Sequence, residues 1–391
     1  MNLEQIKWNT PSDFEIHKYI EGFENPQLVL IFGSRQLISD NNLIDSIKQR
    51  YPSAYLIGCT TAGEMYDTQV LDNSLISTAI SFSSTKVENA LETIKNPEDS
   101  YQAGCNLGQK LNKEKLAHVF ILSEGLNING SELLKGMKEF LPKNISITGG
   151  LAGDAVLFEK TMVISNGYAR ENMITAVGFY GENIHIGYGS VGGWDSFGPE
   201  RLITKSKNNI LYEMDGKSAL QLYKDYLGDY AKDLPASGLL FPLSIRAKGS
   251  NEGLVRTILG INQEDNGMVF AGDVPEGFYA KLMKANFDRL VNGALEAAEL
   301  SDFTFENSPK LAILISCVGR KIVLKQRIEE EIEAVRDVLG EDCVFTGFYS
   351  YGEISPYTEI LHGNGKSLHK LGKGCELHNQ TMTITTIMEK V

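Results

Sequence analysis

Positive charge is the first thing this sequence is short of: 37 Lys and Arg stand against 50 Asp and Glu, a formal net charge of −13 over 391 residues. The deficit is spread along the chain, which disfavours nonspecific attraction to nucleic acid or to an anionic membrane surface. Cysteine is scarce as well. The five present (Cys59, Cys105, Cys317, Cys343 and Cys375) are odd in number and form no C-x-x-C pair. That pattern suits a reducing compartment rather than a disulfide framework. No run approaches the roughly 20 consecutive apolar residues of a spanning helix. The N-terminus, MNLEQIKWNTPSDFEIHKYIEGF, lacks the basic start and apolar core of a secretory signal. P-loop, dinucleotide G-x-G-x-x-G and G-x-S-x-G motifs are all missing. A cytoplasmic, soluble binding protein without nucleic-acid or membrane-inserted partners is therefore expected.

What the sequence does have is a repeat, and a repeat constrains architecture before any local reading does. An apolar strand at 28–32 (LVLIF), a helix at 43–50 and a strand at 54–57 lead into the loop GCTTAGE, Gly58 to Glu64. The order recurs with strand 118–122, helix 131–140, strand 145–148 and loop TGGLAGD, Thr148 to Asp154. It recurs again with strand 311–316, helix 328–339, strand 343–346 and loop GFYSYGE, Gly347 to Glu353. Strand-like stretches at 75–82, 173–181 and 381–388 close the three units. A helix between two apolar strands implies a right-handed crossover and a parallel pair. The expected fold is α/β, with strand-helix-strand modules repeated in mixed sheets and divided over two domains, 1–220 and 221–391. A helical segment at 212–234 marks the division. The second domain opens with a β-rich half, 239–272, and a helix at 278–300 whose Lys281, Lys284, Asp288, Arg289 and Glu296 form a solvated face.

Glycine-acid loops at the carboxyl ends of parallel strands are where open α/β sheets place ligands. Glycines let backbone approach a ligand, and free N–H groups hold an anion or a carbonyl. The acids Glu64, Asp154 and Glu353 either accept from a ligand amine or hydroxyl or cap the next turn.

These loops, in order, resemble the FIST family. The likeness rests on IGCTTAGEM (57–65), GGLAGD (149–154) and TAVGFYG (175–181) in the first half. In the second half it rests on FPLSI (241–245), VRTILGIN (255–262), GDVPEG (272–277), ISCVGR (315–320), GFYSYGEISP (347–356) and LHNQTMTI (377–384). The resemblance implies an intracellular sensory protein with N- and C-terminal FIST domains that binds a small ligand, an amino acid or similar molecule. It also implies a separate signalling partner, such as a kinase, cyclase or chemotaxis-type protein, because both domains fill the chain. A haem-based nitric-oxide sensor is the second ligand class it suggests.

The candidate ligand-binding residues follow the loops: Cys59, Thr60, Thr61 and Glu64 in the first, Gly150 and Asp154 in the second, Tyr349, Tyr351 and Glu353 in the third. Arg320 stands just past an apolar strand, where a guanidinium either clasps a ligand carboxylate or pairs with Glu353 or another loop acid. Arg320 with the loop acids would suit a zwitterion. Phe348, Tyr349 and Tyr351 wall a pocket or pack the core. Cys59 and Cys317 reach a common cleft if strand ends converge, as nucleophiles of a hydrolase or transferase or as small buried thiols; neither has an adjacent His in sequence. His362, His369, Cys375 and His378 lie close together without zinc-site spacing. No metal or cofactor is expected from them unless His378 serves as a haem axial ligand; His378 and Asn379 otherwise line a polar pocket or hold a strand entry.

Overall fold

A computed structural model describes residues 1–18, 23–250, 253–262, 264–302, 310–363, 366–371 and 375–390, with only the backbone for 359–371. All three modules form. The lead strands Leu28–Gly33, Leu116–Ser123 and Leu311–Cys317 are almost wholly buried. Such runs suit parallel strands covered on both faces. Each pairs in parallel with the second strand of its module, Tyr55–Thr60, Ser146–Leu151 or Val344–Ser350. The connecting helices are Asn41–Arg50, Gly130–Phe140 and Ile328–Leu339. Asp40 and Asn129 cap the first two through side-chain oxygens, and Glu329, Glu330 and Glu331 occupy the first turn of the third. Both devices satisfy or complement the unpaired N–H groups at a helix start.

The second strands run further than expected. They continue through Thr60, Leu151 and Ser350, so much of each glycine-acid "loop" is strand and only its last residues turn. Glycine is compatible with this because its neighbour strand approaches closely there, as at Gly149, whose φ is +149°.

After the turn, each module donates a hairpin to a different module. Glu64–Tyr66 of the first pairs with Val344–Ser350 of the third. Gly352–Ser355 of the third pairs with Ser146–Leu151 of the second. Val163–Ser165 of the second pairs with Tyr55–Thr60 of the first. The exchange is cyclic, so the three sheets, of seven, six and six strands, are mutually interlocked. The closing strands Leu75–Ser81, Met173–Tyr180 and Met382–Glu389 lie antiparallel to the lead strands, which makes every one of these sheets mixed. A shared apolar core fills the middle, with Phe32, Phe120, Phe179, Ile313, Ile315 and Phe348 drawn from all three modules.

An eight-stranded sheet is inserted into the third module between its flanking strand Ile184–Val191 and the helix Phe287–Asp302. Residue 220 falls within this insertion. Two sequence expectations need correcting here. The segment 212–234 contains the end of strand Ile210–Met214 and a helix only at Ala219–Leu227 before a 3-10 turn. The helix expected at 278–300 is preceded by a strand, Tyr279–Lys284, which pairs with Asp195–Lys207 and Leu243–Arg246. Lys281 and Lys284 therefore belong to the sheet. The helix begins at Phe287, where the Asn286 side chain accepts from the Arg289 N–H. Its Leu290, Ala294, Ala297 and Ala298 are buried.

Candidate functional site

The cyclic exchange brings the ends of the second strands to one place. Ala62 N donates to Tyr349 O (2.8 Å), Tyr349 N to Gly63 O (2.8 Å), Gly153 N to Thr60 O (2.8 Å) and Tyr351 N to Leu151 O (3.3 Å). Gly153 is in close contact there: a Cβ would stand 2.9 Å from Ala62 N and 3.1 Å from Tyr349 O. Main chain thus ties the loops of all three modules together.

A cleft of about 590 Å³ opens beside this junction, lined by Arg35, Thr61, Glu64, Asp72, Asp154 and Lys321 among others. Two cations come from the turns after lead strands. Arg35 follows the first, and its Nη1 reaches Asp154 at 2.9 Å and Glu159 at 3.2 Å. Lys321 follows the third on the helix Val318–Leu324; its Nζ donates to Ala62 O at 2.8 Å and pairs with Asp72. It also sits 5.4 Å over the Tyr349 ring, a cation–π distance. The Arg35 side chain is 31% exposed and that of Asp72 67%, so the ion pairs are open to solvent and to exchange of partners.

The candidate residues from sequence divide sharply. Thr61, Glu64 and Asp154 line this cleft. Glu64 is buried and accepts from the Thr61 hydroxyl and from the Ser74 N–H (3.1 Å) and hydroxyl (2.6 Å). Burial pushes its carboxyl up, partly countered by these donors and by Lys321. Tyr351 lies at a second cleft of about 810 Å³ between the second module and the inserted sheet, stacked on Phe158 with centroids 4.4 Å apart. Thr60 bonds Met162 N at 3.0 Å, and Gly150 packs against Ile315 and Phe348. Asn379 Oδ1 accepts from Thr257 N at 3.4 Å.

Arg320 is fully buried. Its Nε and Nη2 donate to Glu331 Oε2 at 3.0 and 2.7 Å, and Nη1 and Nη2 donate to the carbonyls of Gly192 and Leu290. Tyr349 donates to the same carboxylate at 2.6 Å. The partner of Arg320 is a helix acid, not a loop acid. Glu353 instead accepts from Ser350 Oγ (2.6 Å) and from Thr381 N (3.2 Å) and Oγ1 (3.0 Å).

Cys59 and Cys317 are buried, and burial, followed by the nearby Glu64 and Glu353 charges respectively, pushes both thiols up. That is opposite to the activation a thiolate nucleophile needs. His378 is buried, its Nε2 lies 3.0 Å from Ser355 O, and burial lowers its pKa to about 4. It is 5% exposed and lines neither of these two clefts. His362 and His369 side chains lie outside the described residues. Among the described residues no three His, Cys, Asp or Glu side chains are grouped as a metal site, and no helix is long and apolar enough to cross a membrane.

Glu353 supplies a pH test. Burial raises its carboxyl to about 8 despite the Ser350 and Thr381 hydrogen bonds. The folded state then holds this proton more tightly than the unfolded chain. The group favours folding below its ordinary pKa near 4.5 and loses that contribution as pH rises through about 8. Between pH 5 and pH 8 the wild type should lose on the order of 2 to 4 kcal/mol more than Glu353→Gln, measured by urea unfolding. Equal losses in both proteins would show that the carboxyl ionises freely in the fold.

Fold and cleft together define an α/β protein of three strand-exchanged modules with a charged cleft at their junction. The FIST N domain matches residues 27–217 and the FIST C domain residues 219–356. The chain belongs to the FIST family. FIST domains are associated with sensory and signal-transduction proteins. A relative in Methanocaldococcus jannaschii, named uncharacterized protein MJ1623, is 25% identical over 377 residues, covering 90% of this chain and 70% of that protein.

Sequence reasoning missed Arg35, Asp72 and Lys321. A signal existed for two of them, since Arg35 and Lys321 are cations two and four residues beyond the lead strands Leu28–Gly33 and Leu311–Cys317.

Proposed function

We propose that this is a sensory protein that binds a small zwitterionic ligand, an amino acid or close relative, in the cleft between Arg35 and Lys321. The observation that carries the reading is the pairing of two cations with two acids, Arg35 with Asp154 and Lys321 with Asp72, inside one cleft at the module junction. A ligand carboxylate replaces the exposed Asp72 on Lys321, and the ligand ammonium takes up the acid released. Each exchange swaps one charge-assisted contact for another, so neither partner is left buried and unpaired. Glu64 has its oxygens filled by Thr61 and Ser74 and holds the floor in shape.

Because the cleft is lined by residues of both halves, with Lys321 and Ile322 supplied by the helix Val318–Leu324, ligand uptake bears on the contact between them. The response passes to a separate signalling protein of the kinase, cyclase or chemotaxis type. The reading is of a binding protein and calls on no cofactor and no bond-breaking step.

A thermal-shift screen of the common amino acids tests it. At a hundred times its Kd, a ligand that binds only the folded state adds about 2.7 kcal/mol. At least one amino acid should raise the melting temperature, and Lys321→Ala should weaken its binding roughly 10- to 100-fold, the loss of one charge-assisted hydrogen bond. If none shifts melting, or if Lys321→Ala binds as tightly as wild type, the reading is wrong.

A further inference from the structure

The same cleft carries a feature that ion pairing does not use. Val156 and Leu157 are consecutive, apolar, 60% and 52% exposed, and both line it. Single exposed apolar residues are ordinary on a surface. These two are held outward by a constructed loop. Ala155 and Phe158, on either side of the pair, have φ of +48° and +54°, a region unfavourable for side chains with a Cβ. Such strain persists only where the surroundings impose it.

Those surroundings are specific. Ala155 N donates to Thr61 O (3.1 Å), Leu157 N to Asp154 O (3.0 Å), Lys160 N to Asp154 Oδ2 (3.1 Å) and Phe158 N to the Tyr351 hydroxyl (3.2 Å). Tyr351 returns its own hydroxyl to Ala155 O at 3.3 Å and stacks on Phe158. Arg35 grips both ends of the loop through Asp154 and Glu159. Phe158 is thereby turned away, toward the second cleft, while Val156 and Leu157 stay over the first. Ile322, one residue past Lys321, and Ala62 complete the apolar lining.

From this we infer that the cleft selects zwitterions bearing an aliphatic side chain, which rests on Val156 and Leu157 while the charged end is held by the Arg35 and Lys321 pairs. The inference rests on the zwitterion reading above and narrows it to one class of ligand. Removing apolar surface from water is favourable in proportion to the area covered, and discrimination by one or a few methylenes in an apolar subsite is about tenfold or more. Glycine and serine cannot cover the rim; valine and leucine can.

Calorimetric titration of the full chain with glycine, serine, valine and leucine decides the matter. Leucine or valine should bind at least about tenfold more tightly than glycine. The double substitution Val156→Ser and Leu157→Ser, at positions too exposed to be needed for folding, should abolish that margin while leaving glycine's Kd within about twofold. A circular-dichroism melt confirms that the variant is folded. Equal affinity for leucine and glycine in the wild type, or a margin that survives the double substitution, overturns the inference with the zwitterion reading intact. If no amino acid binds at all, both fall together. A wild-type dimer in sedimentation that the double substitution dissolves assigns the rim to a second copy of the chain and overturns the inference too.

Discussion

Arg320→Ala is expected to destabilise the protein by about 3 to 5 kcal/mol, the cost of breaking a buried ion pair from one side. The substitution leaves Glu331 fully buried with a negative charge and only the Ser316 and Tyr349 hydroxyls to meet it. It also strips a donor from each of the carbonyls of Gly192 and Leu290. Those carbonyls lie at the end of the flanking strand and in the helix Phe287–Asp302, so one guanidinium joins three elements of the third module. Urea unfolding at neutral pH measures the loss through the midpoint at unchanged slope. Replacing both members with apolar residues of similar volume, Arg320→Met with Glu331→Leu, should recover much of it, because removal of both charges also removes their desolvation cost. A loss below about 1 kcal/mol for Arg320→Ala, the range of exposed pairs, would contradict the burial on which the argument depends.

The second large effect belongs to three glycines at one position of the repeat. Gly58, Gly149 and Gly347 each pair, in parallel register, with a lead-strand residue: Ile31, Ile121 and Leu314. In all three a Cβ would overlap the carbonyl oxygen of that same partner. Overpacking a core ordinarily costs about 1 to 3 kcal/mol and occasionally more. Here the obstacle is backbone, which cannot rotate away as a side chain does, so each Gly→Ala change should reach about 3 kcal/mol or separate the strand pair. Gly260→Ala is the control. Its Cβ would meet nothing within 4 Å, and it should change stability by less than about 0.5 kcal/mol, as surface substitutions do. Similar small effects at Gly149 and Gly260 would mean that the strands can part without penalty.

These glycines also show how the repeat was legible. The lead strands and crossover helices could be read in the sequence because their signals are local. Apolar runs of five or six residues between turn-forming residues mark buried strands, and helical periodicity between them marks the crossover. Three agreeing registers then predict three parallel pairs. The helix at 328–339 has the very bounds expected of it. The segment at 279–284 misled because Lys281 and Lys284 stand three apart, a spacing that a helical face and a strand in a wide sheet can both carry. Pairing with two neighbouring strands settled it.

The candidate site was legible in part. Thr61, Glu64 and Asp154 were found because a glycine-acid turn at a strand end is itself a local pattern. Arg320 and Lys321 are adjacent, and the sequence favoured the wrong one of the two for the cleft. Neighbours on a helix point about 100° apart, so the direction in which Val318–Leu324 leaves its strand sends Arg320 inward to Glu331 and Lys321 out to Asp72.

By itself, then, the sequence determined the module, its threefold recurrence, the family and the glycine-acid turns. Tertiary structure alone decided that each module gives its hairpin to another, that two of the three acids share a cleft while Glu353 is enclosed, and that Arg35 and Lys321 line that same cleft. The reason is physical. Strand and helix formation answer to residues a few positions apart, whereas three-residue strands such as Glu64–Tyr66 carry no preference for a particular sheet edge. Only the packing of the whole chain selects the edge that receives them.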